Sequence, residues 1–147
     1  MTDREILLVE DNPDDAELTL LAFQQNHIGN RVVWVKDGAE AIDYLFGRGA
    51  HAHRTPATLP VLVLLDLKLP KVDGLEVLRQ MRADARVKLT PVVILTSSAE
   101  DRDIVQGYGL GAKSYVRKPV DFAQFHEATR QLALYWLVLN QPPPTGG

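Results

Sequence analysis

The run Val61-Leu62-Val63-Leu64-Leu65 constrains the fold of this chain more than any other stretch. Five consecutive apolar residues, bounded by Pro60 on one side and a turn through Pro70, Asp73 and Gly74 on the other, read as a strand buried on both faces. Strands of that kind occur inside parallel sheets. Ile6-Leu7-Leu8-Val9, residues 31–35 and Val92-Val93-Ile94-Leu95 have a similar strand composition. Ser114-Tyr115-Val116-Arg117 is less apolar and belongs at or near an edge.

Helical patterns separate these runs. In Asn12-Pro13-Asp14-Asp15, Asn12 caps, Pro13 fits the first helical position and the two acids oppose the positive end of the helix dipole. Ala16, Leu18, Leu21 and Ala22 then supply apolar positions to about residue 25. Asp37-Gly38 opens a second helix through Ala39, Ala41, Ile42, Leu45 and Phe46, and Gly74 leads a third carrying Leu75, Val77, Leu78 and Met81. Residues 99–110 form a weaker fourth, eroded by Gly107, Gly109 and Gly111, and Asp121 caps a last helix reaching about residue 139. Strand and helix thus alternate five times. Right-handed crossovers then dictate an α/β, doubly wound, parallel five-stranded sheet with helices on both faces, expected in the order 2-1-3-4-5.

The 147 residues, 46% hydrophobic and 24% charged, suit one soluble domain over 1–140 followed by a Pro/Gly-rich tail at 141–147. A net charge of −3 with no basic stripe argues against direct nucleic-acid binding. The absence of cysteine removes thiolate metal sites and thiol catalysis, and no apolar run approaches membrane-spanning length. A cytoplasmic protein is expected.

The carboxyl ends of parallel strands share one rim, where open α/β sheets bind their ligands. Glu10 and Asp11 follow the first strand, Asp66 the third, Thr96 ends the fourth and Lys118 follows the fifth; the second strand contributes nothing comparable. Three carboxylates in a crevice repel one another, and a divalent cation is the usual relief. Oxygen-only donors suit magnesium better than zinc. With Lys118 offsetting charge and the Thr96 hydroxyl donating, such a site suits a phosphoryl group, and Asp66 is the best placed of the acids to act as nucleophile. Each residue also has a plainer role: Asp66 as a turn cap, Lys118 as a solvated lysine. Glu10 and Asp11 could serve a helix N-terminus, a duty that Asn12, Asp14 and Asp15 already fill. His51 and His53, in a long polar loop without a nearby third ligand, read as solvated.

Val9-Glu10-Asp11-Asn12, Leu65-Asp66-Leu67-x-Leu69-Pro70-x-x-Asp73-Gly74, Leu95-Thr96-Ser97 and Tyr115-x-x-Lys118-Pro119 together resemble the receiver domain of two-component response regulators, over residues 5–139. The resemblance implies a flavodoxin-like fold in which Asp66 accepts a phosphoryl group from a histidine kinase. It implies a magnesium ion held by Glu10, Asp11, Asp66 and the backbone carbonyl of Lys68. It further implies a switch pair of Thr96 and Tyr115, phosphate bridging by Lys118 and a cis bond before Pro119. The long loop before the third strand, the wording Leu69-Pro70-Lys71 and the tail from Tyr135-Trp136 to Pro144 resemble single-domain regulators that pair with bacterial phytochrome kinases. By the same analogy the eight apolar residues 132–139, with Tyr135, Trp136 and Leu139, form a homodimer interface with the fourth-helix and fifth-strand region.

A receiver without an output domain acts by interaction or phosphate relay. The enzyme alternative is a magnesium phosphohydrolase with Asp66 as nucleophile. It would want a second acid two residues on, where Lys68 stands. A flavin-binding module would want a phosphate-cradling Ser/Thr/Gly loop where Glu10 and Asp11 stand.

Overall fold

The computed structural model describes residues 5–25, 31–49, 59–96, 109–112, 114–117 and 130. Its strands are β1 (Ile6–Val9), β2 (Val32–Val35), β3 (Leu62–Leu65), β4 (Val92–Thr96) and β5 (Ser114–Arg117); its helices are α1 (Pro13–Gln25), α2 (Gly38–Phe46) and α3 (Gly74–Ala83). Every strand pair is parallel, as the alternation of elements predicts, and the order is the expected β2-β1-β3-β4-β5. The last two expected helices fall almost wholly outside the described residues.

Alternation along each strand divides the core into two layers. Leu7, Val9, Val63, Leu65, Val92 and Ile94 pack with Ala41, Ile42 and Leu45 of α2 and Val77, Leu78 and Met81 of α3. On the other face Ile6, Leu8, Leu62, Leu64 and Val93 pack with Ala16 and Phe23 of α1. Both faces of β1 and β3 are therefore dry, which explains their unbroken apolar runs. Each such side chain contributes roughly 1.5–3 kcal/mol on burial. β2 is only partly buried over Val32, Val33 and Trp34, as an edge strand should be.

The helix starts follow capping chemistry. The Asn12 side-chain oxygen accepts from the Asp14 and Asp15 N–H groups at 2.9 and 3.2 Å. Asp37 accepts from the Glu40 N–H at 2.7 Å, and Asp73 from the Glu76 N–H at 3.0 Å. α2 ends on Gly47 in the left-handed conformation, as expected of a terminating glycine.

α1 differs from the expectation. It buries Ala16, Thr19, Ala22 and Phe23, whereas Leu21 is 42% exposed and its neighbour Leu20 is exposed as well. The helix turns Phe23 inward with its two alanines and Thr19 and leaves two leucines outside. Thr19 is accommodated because its hydroxyl donates to the Asp15 carbonyl at 2.9 Å.

At the rim formed by the strands' amino ends, Arg82 ties three segments together. Its guanidinium donates to the carbonyls of Lys88 and Thr90, both at 2.9 Å, of Leu110 at 2.6 Å and of Gly111 at 3.3 Å. The end of α3 is thereby fixed to the chain entering β4 and to the chain entering β5. Burial lowers the Arg82 pKa from its ordinary value, yet a guanidinium stays protonated in proteins.

Candidate functional site

The sheet register assembles the site. Val9 and Leu65 are directly paired, so the residues that follow them, Glu10 and Asp66, leave the sheet abreast. The ladder continues one step further, with the Asp66 N–H donating to the Val9 carbonyl at 3.1 Å. This lies where the chain departs from β1 toward β2 on one side and from β3 toward β4 on the other, the crevice in which doubly wound sheets bind ligands.

Glu10, Asp11 and Asp66 place one carboxylate oxygen each within 4.8 Å of one another. Glu10 is fully buried, Asp66 is 4% exposed and Asp11 lies at the surface. At that separation two charges repel by on the order of 3 kcal/mol for an effective dielectric of 20. Local hydrogen bonds hold the two buried acids. The Asn12 N–H donates to Glu10 Oε2 at 3.2 Å, and the Lys68 N–H donates to Asp66 Oδ1 at 3.1 Å. The Lys68 side chain itself is exposed.

The donor set fits a divalent cation: three carboxylates, oxygen only, two of them withdrawn from water and one open to solvent. Among the described residues no comparable cluster of His, Cys, Asp and Glu occurs elsewhere.

The structure adds participants that the sequence did not disclose. Trp34 on β2 donates its indole N–H to the Glu10 carbonyl at 2.7 Å, and the Lys36 ammonium lies 5.1 Å from the centre of the same ring. The outer strand therefore does reach the site. Gly74, at the start of α3, is pressed against the backbone of Asp66: a Cβ there would stand 2.2 Å from the Asp66 carbonyl oxygen. An isolated tryptophan in an edge strand was the one available hint of the first contact. The second had a signal in Asp73-Gly74, which reads only as a helix start.

Of the other predicted residues, Thr96 closes β4 with its backbone opposite Arg117, and Tyr115 pairs with Ile94 in β5. The side chains of Thr96 and Tyr115 lie outside the described residues, as do Lys118, Pro119, Tyr135, Trp136, Leu139, His51 and His53.

A parallel sheet in this order, with an oxygen-donor cluster at its central rim, defines a doubly wound α/β protein whose clustered carboxylates could hold a divalent cation. Comparison with known families makes the assignment specific: the response regulator receiver domain model matches residues 6–130, and the chain belongs to that family. FilR2, a probable methanogenesis regulatory protein of Methanothrix harundinacea, is 41% identical over 94% of this chain and 86% of its own. Response regulator Rcp1 of Synechocystis is 32% identical over 90% of this chain and 88% of its own.

Among solved structures, the phosphorylated cyanobacterial phytochrome response regulator RcpA superposes with a TM-score of 0.87 at 36% identity, covering 97% of this chain and all of that one. The bacteriophytochrome response regulator RtBRR gives 0.79 at 50% identity, covering 97% and 86%. The Mn(2+)-bound form of Rcp1 gives 0.85 at 30% identity, covering 96% and 99%. The protein is therefore a receiver domain homologous to phytochrome response regulators, and the phosphoryl-acceptor role fits it. The phosphohydrolase alternative gains no support. Among the described residues no helix is long and apolar enough to cross a membrane.

Proposed function

We propose that the protein is a single-domain response regulator, residues 1–140 with a tail at 141–147, that accepts a phosphoryl group on Asp66 from a sensor histidine kinase. One observation carries this reading: Asp66, at the centre of the sheet, lies within 4.8 Å of Glu10 and Asp11. An Asp66 carboxylate oxygen attacks phosphorus, the bond from phosphorus to the kinase histidine breaks, and its electron pair leaves with the imidazole. The Lys68 N–H on Oδ1 fixes the plane of the attacking carboxylate. Magnesium, held by Glu10, Asp11, Asp66 and the Lys68 carbonyl, supplies charge neutralisation when bound.

Thr96 and Lys118 receive the phosphoryl oxygens, and Tyr115 completes the switch. Output is a changed protein interaction and not turnover of a substrate, so the protein is no enzyme in its own right. The partner is a kinase of the bacterial phytochrome class, which the names of RcpA and RtBRR support. A homodimer through residues 132–139, a cytoplasmic location and no direct nucleic-acid contact complete the proposal.

Borohydride reduces an acyl phosphate to an alcohol, so trapping after incubation with acetyl phosphate and magnesium marks the acceptor. Homoserine at position 66, found by peptide mass spectrometry, is the expected result. Trapping at any other acid in its place would refute the assignment of Asp66.

A further inference from the structure

Loop 66–73 leaves β3 with the central acid and enters α3, and two helix amino termini grip it. At α3 the Gly74 N–H donates to the Leu67 carbonyl at 2.9 Å. At α2 the Gly38 N–H donates to the Pro70 carbonyl at 3.3 Å, and a Cβ on Gly38 would stand 1.8 Å from the Val72 carbonyl oxygen. A clash with backbone cannot be relieved by turning a side chain, so a larger residue there displaces the loop or the helix. Between these grips Lys71 adopts a φ of 68°, a region that a lysine enters only at a cost. Its ammonium lies 3.5 Å from the carboxylate of Asp37, the residue that caps α2. That pair is 68% exposed on the lysine side and contributes little alone. The interlock of Gly38 with Val72 is the stronger constraint.

α2 supplies no residue to the acid cluster, yet it fixes the loop that does. We propose that Asp37 and Gly38, with Lys71 opposite, are positioning residues for the cation and phosphoacceptor site. By holding Pro70 and Val72 they hold the main chain at Lys68, whose N–H orients Asp66. The inference rests on the reading of Glu10, Asp11 and Asp66 as a divalent-cation site. Its consequence is that the amino end of α2 and the site are coupled through this loop.

The test combines magnesium titration, read by the thermal transition, with hydrogen exchange at the Lys68 and Gly74 amides in metal-free protein. Gly38→Ala should weaken magnesium binding about tenfold, in line with other residues that support metal ligands from behind, and should speed exchange at both amides. Ile42→Val, which trims the α2 core away from the loop, should keep wild-type affinity. Lys71→Val places a β-branched residue at positive φ and should weaken binding too, which gives an answer if Gly38→Ala does not fold. Lys71→Gly takes positive φ freely and should recover most of that loss. Wild-type affinity and protection in both Gly38→Ala and Lys71→Val, or an equal loss in Ile42→Val, would overturn the clamp while leaving the cation site standing. Failure of the wild-type protein to bind magnesium would remove both.

Discussion

A buried carboxylate is costly unless something shares its charge, and here two of them stand side by side at the end of paired strands. In metal-free protein the Asn12 and Lys68 N–H groups offset part of that cost. Asp66→Asn keeps an oxygen to accept from the Lys68 N–H but removes a charge beside Glu10, so it should raise metal-free stability by on the order of 1–3 kcal/mol. Urea unfolding in the presence of a chelator measures this; a loss of stability would mean that the acids do not repel as the geometry requires. Which acids converge was legible in the sequence, because register alone brings the ends of β1 and β3 together. The Trp34 contact with Glu10 was not, since it depends on how far one side chain reaches across a strand pair. Trp34→Phe keeps an aromatic ring but drops the donor and part of the indole's packing, at an expected cost of at least about 1 kcal/mol in the same unfolding assay.

Elements were legible where their signals are local. Four of the five strands announce themselves as short apolar runs, and Asn12 and Asp37 mark helix starts. The face that a helix buries is a tertiary matter, and α1 shows it: Ala16, Thr19, Ala22 and Phe23 are buried while Leu21 turns outward. Arg82 makes the same point at the far rim. Nothing in its local sequence discloses four carbonyl partners on two other segments. A lysine has neither the planar fork nor the donors to replace it, so Arg82→Lys should destabilise by roughly 2–3 kcal/mol. An unchanged urea midpoint would show that these bonds are as good with water.

Across the whole molecule, the parallel sheet gathers residues far apart in sequence onto one rim. The fold and the cation site should then be thermodynamically linked. Magnesium at a hundredfold excess over its Kd should add about 2.7 kcal/mol. For a chain of this size that is roughly 5–10 °C in Tm, reversed by chelation. Asp11→Asn should lose most of the shift. The measurement that bears most directly on the central reading is intact mass after incubation with acetyl phosphate, with and without magnesium, for the wild-type protein and Asp66→Asn. The account predicts a gain of one phosphoryl group that requires magnesium and disappears in Asp66→Asn. Full uptake in Asp66→Asn, or uptake in wild type that ignores magnesium, would contradict it.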